Sequence, residues 1–419
     1  MRGSSLFNMA MLYAGRTSSV LVAFLFMPIY SRILGPEQFA TAAVILSLQA
    51  LLMLMDLGLA TLLSREVAVA SSACGSPFKL VRTVEISLSI LYLLLVIVLV
   101  IVKFTAGVFD LSLSTILGIM IFFWSIVLHN QYYTAVLARQ KYIMANTIQL
   151  AGITLRAIVT LAALNYYSGT LDVFIWSQVV VSVMHSFVLR LLCFNELKKV
   201  AGSYVSRVTY QDCLELIRTA SPLFLAGSAG AAAMHLDKPI MSLFFEANII
   251  GPYFLAVMFS STPIAVCAAP LVQYFQPKIY KDIVSLDSSS YRNNLASFVF
   301  AILFFVFFPV GILYIFCSEI IAFWLSGDVT LIEQVTSYSK ILLVGYLVAA
   351  AGYIPFVLVI AHRDFGFHAR LSIASTILIL LCVFVFSVFE NVYLICVSYV
   401  GYFLFITTAF LFRAKLKLE

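Results

Sequence analysis

Arg16, Asp56, Arg156, Asp237 and Lys238 stand inside stretches of otherwise apolar sequence. If those stretches cross a bilayer, each charge costs at least about 2.5–3.5 kcal/mol at mid-helix. A side chain kept there at that cost faces a partner, the bundle interior or a wet cavity. Arg16 and Asp56 both fall about 12 Å from the same membrane face, by helix rise, and Arg156 about 14 Å. Asp237 and Lys238 lie towards the opposite face. Cations at two depths suggest a charged, hydrated cavity. The competing reading is structural: each charge pairs locally, or, for Lys238, snorkels to the interface. His129, His185 and His235 lie on three separate apolar stretches, the last shared with Asp237 and Lys238. They read either as neutral core histidines or as members of a proton relay.

The elements that must carry these residues follow from composition. Of the 419 residues, 63% are hydrophobic and 11% charged. Soluble domains hold about 45–50% apolar and about 25% charged residues. A chain this apolar must turn most of its surface to lipid. A spanning helix needs about 20 mainly apolar residues. Twelve segments qualify, at roughly 8–33, 40–64, 84–103, 113–137, 147–166, 172–194, 218–245, 251–276, 295–317, 335–361, 367–388 and 392–412. Alternating barrel strands are absent, and an open sheet edge cannot survive in lipid, so the segments are helices. The first is too long for a signal-peptide core and reads as an uncleaved span. Prolines in or near spans, Pro28, Pro239 and Pro309 among them, suggest kinks.

The loops test this count. With the N-terminus placed in the cytoplasm, 19 of the 25 Lys and Arg fall on cytoplasmic ends and loops. Only Arg32, Lys103 and Lys340 fall on the other side, as the positive-inside rule requires. One missed span would invert every later loop and spoil the bias. Both termini are therefore expected in the cytoplasm. The longest inner loop, about 195–217, divides a six-helix bundle at 1–200 from another at 218–419, with 201–217 as linker. Six is even, so the two halves enter the membrane in the same direction, and a pseudo-two-fold must run along the membrane normal. Pro28-Ile29-x-Ser31 with Ala40 matches Pro239-Ile240-x-Ser242 with Gly251 at a constant offset. The expected class is an all-α membrane protein of twelve transmembrane helices.

Several chemistries find no support. The seven cysteines are scattered, without a C-x-x-C or a Cys/His cluster, so no metal site and no cofactor is read. There is no Walker A loop. No loop is long enough to build a site around a nucleophile, so the chain does not read as an enzyme. Basic residues are spread over small loops as topology demands, which argues against nucleic acid.

Two regions carry a resemblance. Met27-Pro28-Ile29-Tyr30-Ser31-Arg32-Ile33-Leu34-Gly35-Pro36-Glu37-Gln38-Phe39 is followed by Met55-Asp56-Leu57-Gly58-Leu59 and Ser64-Arg65-Glu66-Val67-Ala68. Further on, Asp237-Lys238 precedes Gly251-Pro252-Tyr253-Phe254-Leu255-Ala256, and Arg139-Gln140-Lys141-Tyr142 follows the fourth span. The chain resembles the bacterial polysaccharide-repeat (O-antigen, Wzx-type) flippases of the multidrug/oligosaccharidyl-lipid/polysaccharide exporter superfamily. It departs mildly at Ala40, where that family usually has Gly. The motifs cover roughly the first 70 residues and 235–256; elsewhere topology alone matches.

The resemblance implies a multi-pass protein of the bacterial inner membrane. It implies a substrate of undecaprenyl-diphosphate bearing one oligosaccharide repeat, flipped from the cytoplasmic to the periplasmic leaflet by alternating access. Lipopolysaccharide or other surface-polysaccharide assembly would follow, with a polysaccharide polymerase and chain-length machinery as further partners and a proton or sodium gradient as driving force. On this reading Arg16, Arg156 and Lys238 bind the head-group phosphates, and Asp56 and Asp237 act as charge partners or in ion coupling. Arg suits phosphate because its planar fork makes two parallel hydrogen bonds. The rivals are a cation-coupled drug antiporter of the same superfamily and a membrane-embedded polysaccharide polymerase. The motif at 27–68 argues against the first. The second would need a large outer loop with catalytic residues, whereas the longest outer stretch, about 318–334, has only Glu319, Asp328 and Glu333 as ionisable groups.

Overall fold

A computed structural model describes residues 2–54, 77–106, 111–139, 141–201, 208–268, 288–326, 328–361 and 364–418, with isolated positions between them. All of its regular elements are helices. Arg16 lies within a described helix, but its side chain, like Asp56 as a whole, lies outside what is described. Nine helices among the described residues are long and apolar enough to cross a membrane. They correspond to nine of the twelve expected spans. The other three, 8–33, 40–64 and 218–245, fall where description is partial.

Helix α1 covers Arg2–Leu54 and is broken at Gly35, whose φ of 74° and ψ of 170° are not helical. Nothing lies within 4 Å of where a Cβ would sit, so the backbone angle and not space calls for glycine there. Pro36 then starts the next helix with φ already set. The break falls between the first two expected spans.

The described residues divide into two compact units, and residues Ala23–Val44 of α1 group with the second. In the first unit are α2 (Pro77–Ala106), α3 (Leu113–Ala138), α4 (Tyr142–Tyr166), α5 (Leu171–Ala201) and most of α6 (Tyr210–His235). Helix α3 packs along α5, and α4 lies against α5. Trp124 Nε1 donates to Ser89 Oγ at 3.1 Å, and Trp176 Nε1 to Ser114 Oγ at 3.0 Å. At the start of α6, Asp212 and Thr209 form a reciprocal cap: the Thr209 N–H reaches Asp212 at 2.7 Å, and the Asp212 N–H reaches Thr209 Oγ1 at 3.4 Å. Lys79 Nζ stands 2.8 Å from the same carboxylate. Lys79, followed by the Thr209 donors, holds that carboxyl down at about 2.

The second unit holds α7 (Asp237–Met241), α8 (Ala247–Pro263), α9 (Ser288–Ile302), α10 (Phe308–Ile315), α11 (Cys317–Leu325), α12 (Val329–Ala361), α13 (Phe365–Val388) and α14 (Val392–Leu418). The expected helix over 218–245 is two pieces, because the chain breaks at Leu236. Pro239 explains the place: in a continuous helix its ring would strike the carbonyl four residues back, at His235. A π-helical turn, Leu303–Phe307, likewise precedes Pro309. The wider i→i+5 turn makes room for its ring.

Helix α12 runs along α14 at close range: a Cβ on Gly345 would meet Val400 Cα at 3.3 Å. The motif segment of α1 is built into this unit. Phe24 stacks on Trp324 at 4.5 Å, and Trp324 Nε1 donates to the Phe24 carbonyl at 2.9 Å. Arg32 donates to the Leu325 carbonyl and, at 2.7 Å, to Ser326 Oγ. Those contacts cap the end of α11, where Ser326 adopts a left-handed φ of 33°. Phe39, 1% exposed, packs edge-on to Phe254 and lies against Gly251.

Candidate functional site

Each unit gathers a polar cluster around one of the sequence-selected charges. In the first unit, Gln149, Gly152 and Arg156 lie three and four residues apart and share a face of α4. Glycine at 152 has a steric reason: a Cβ there would sit 2.2–2.3 Å from three atoms of the His185 ring. The absent side chain admits that imidazole of α5 against the backbone of α4. His185 Nε2 then contacts the Ile148 carbonyl at 3.0 Å. Its ring centroid is 4.1 Å from that of His129 on α3. His129 Nε2 bonds Gln149 Oε1 at 2.5 Å. Arg156 Nη1 donates to Ser182 Oγ at 3.3 Å, and its guanidinium stands over the Phe122 ring at 5.9 Å. Ser182 is one turn before His185, so Arg156 approaches the same face of α5. Arg156 is half-buried and His129 buried.

Two of the three sequence-selected histidines are thus in contact, and Arg156 is their neighbour. Gln149 and Ser182 were not singled out from sequence. Neutral polar residues in a spanning helix are common enough that nothing marked these two.

In the second unit, Asp237 and Lys238 form a buried ion pair, 1% and 2% exposed. Lys238 Nζ reaches both carboxylate oxygens, at 2.8 and 2.9 Å. Tyr253 Oη donates to Asp237 Oδ2 at 2.8 Å, and its ring lies 5.7 Å beneath the Lys238 ammonium. Lys238 therefore does not snorkel: both charges are enclosed and neutralise each other. Asp237, Tyr253, Tyr346 and Tyr399 line a small cavity together with Met234, Val257 and Leu342. Tyr399 Oη donates to the Ala233 carbonyl at 2.8 Å, next to the helix break. Tyr253 belongs to the motif at 251–256. Tyr346 and Tyr399 carried no sequence signal among the chain's 21 tyrosines.

The architecture is that of a known class of membrane transporter. A multidrug resistance MATE family transporter of the MOP superfamily, solved facing inward, superimposes with a TM-score of 0.71 at 12% identity, over 95% of this chain and 94% of its own. A MOP superfamily transporter from Pyrococcus furiosus gives 0.69 at 11% identity, over 98% and 95%. A Vibrio cholerae MATE transporter gives 0.66 at 13%, over 99% and 97%. At such identities the likeness concerns the fold. Residues 5–281 match the family described as polysaccharide biosynthesis protein, and the chain belongs to that family. None of the curated proteins matches the chain.

Proposed function

We propose that this protein is a flippase for a lipid-linked sugar. On this reading it moves an undecaprenyl-diphosphate-linked oligosaccharide repeat from the cytoplasmic to the periplasmic leaflet of a bacterial inner membrane, for O-antigen or other surface polysaccharide. It would do so as twelve spans in two six-helix halves, related by a pseudo-two-fold along the membrane normal, with both termini cytoplasmic. The observation that carries the reading is the family match over residues 5–281 on a chain with a transporter fold.

The mechanism follows from the solvent. A diphosphate head group cannot cross hydrocarbon bare, whereas its isoprenoid tail is at home there. A cation inside the membrane replaces the hydration that the head group loses, and Arg156, half-buried on α4, would supply it. Arg16 takes the same role on the first span. Lys238 is neutralised by Asp237 in the conformation described, so it would bind phosphate only after that pair opens. Pocket polarity varies within this fold: the Pyrococcus furiosus transporter is described as having a binding pocket of reversed polarity.

The decisive experiment is genetic. Deleting the gene in its host should abolish surface polysaccharide while lipid-linked repeat units accumulate on the inner leaflet. Accumulation of unpolymerised lipid-linked repeat units on the periplasmic leaflet would point to a polymerase instead. Unchanged polysaccharide with altered drug tolerance would point to a drug antiporter.

A further inference from the structure

The His129–His185 pair has no part in the account so far. Its ring centroids lie 4.1 Å apart, with His129 buried and His185 half-buried. Two contacts orient them, from Gln149 and the Ile148 carbonyl. The remaining nitrogen of His129, Nδ1, is buried and finds no hydrogen-bond partner among the described residues. A buried polar atom left without a partner is costly unless something else satisfies it. The charged groups around the pair can be enumerated. Helix α4 presents Arg156, whose charge bears on both imidazoles. Helix α3 presents Tyr133, stacked on His129 and bonded through its hydroxyl to Asn146. Glu85 of α2 and Arg190 of α5 are occupied with each other at 2.9 Å.

A diphosphate ester carries more than one negative charge, and Arg156 alone does not balance it. A second permanent cation beside Arg156 would repel it whenever the site is empty, in surroundings that screen poorly. An imidazole avoids that conflict, being neutral when alone and able to take a proton when an anion arrives. We propose that His129 and His185 form a switchable cationic group beside Arg156 in the head-group site, gaining one proton from solvent at an imidazole nitrogen when diphosphate binds Arg156 and returning it when diphosphate leaves. The proposal rests on the reading of Arg156 as a head-group ligand. It adds a ligand chemistry: the site takes a dianionic phosphate ester, and takes it with a proton.

The test uses the purified full-length protein in detergent, with undecaprenyl diphosphate as probe. Calorimetry in buffers of different ionisation enthalpy counts the protons exchanged on binding. Affinity measured from about pH 5 to 8 gives the same quantity independently. The wild type should take up about one proton per probe bound, with Kd tightening up to about tenfold per pH unit on the acid side. The probe's own phosphates titrate in the same range, so the reading is the difference from H129Q/H185Q, which should bind more weakly at low pH and lose that extra uptake. Arg156→Ala should weaken binding at every pH. If Arg156→Ala binds as the wild type does, the head-group reading of Arg156 fails, and this proposal with it. If Arg156 matters but wild type and H129Q/H185Q exchange the same number of protons, the histidine proposal alone is overturned. Should the double variant not fold, H185Q, at a half-exposed position, carries the comparison, and its failure to reduce the uptake would be equally fatal.

Discussion

At the residue scale, the Asp237–Lys238 pair is the most exacting feature. Both charges are enclosed, so removing one strands the other. Asp237→Asn or Lys238→Met alone should cost about 3–5 kcal/mol and lower the amount of folded protein in the membrane. The combined variant should recover most of that loss, since no charge is then left unpaired. Thermal melts in detergent would decide it; single losses that simply add would mean that the pair is not coupled. Arg156 and Arg16 make the contrasting case. Arg→Ala at either should abolish export while the protein still inserts, and Arg→Lys should restore part of it, because the charge returns without the planar fork. Normal export by Arg156→Ala at normal protein level would remove it from the site. Which residues carry charge inside the membrane was plain from sequence, because so few do. What each charge touches was not. Asp237 and Lys238 are adjacent in sequence, and neighbours in a regular helix point apart, yet in the first turn of the short helix Asp237–Met241 the Lys238 ammonium bends back onto the Asp237 carboxylate.

At the element scale, nine of the expected spans were legible in position, and their rotation was not. A soluble helix announces its inner face by polarity, but here the faces turned to lipid and to neighbours are both apolar. Nothing in the sequence therefore said that His129 and His185 share an interface, or that Gly152 makes room for the second. The glycine now has a measurable consequence. Gly152→Ala should drive a methyl into the His185 ring and lower the melting temperature, at a cost of about 1–3 kcal/mol. The same substitution in a His185→Ala background should cost little, since the obstructing ring is gone. Equal penalties in both backgrounds would show that the clash is not with His185. Backbone breaks were more readable than rotations, because proline and glycine act locally. Gly35-Pro36 separates two helices where a loop was expected. Pro239, read as a kink, ends its helix four residues upstream, where its ring would have struck the carbonyl.

At the scale of the whole molecule, the sequence argument for twelve spans rests on alternation of the loops, and side-chain contacts bear on the same alternation. Arg32 and Ser326 come from loops assigned to the outer side, and they are bonded. Thr115 and Asp172, at the ends of the expected spans 113–137 and 172–194 that the alternation puts outside, are bonded too. Lys79 with Asp212, Glu85 with Arg190, and Asp364 with Arg413 join residues assigned inside. An error of one span between any two partners would have put them on opposite faces, about 30 Å apart. These contacts support the alternation but are blind to which face is cytoplasmic. That rests on the 19 Lys and Arg of the inner loops. Labelling decides it. In a chain stripped of its seven cysteines, single cysteines at Asp172, Ser326 or Glu390, all exposed, should react with an impermeant thiol reagent added to intact cells. Cysteines at Tyr210 or Ser289, equally exposed, should react only after the membrane is opened. The reverse pattern would keep the twelve spans and invert the protein, turning the proposed direction of export around. A mixed pattern would break the alternation, and with it the count of twelve.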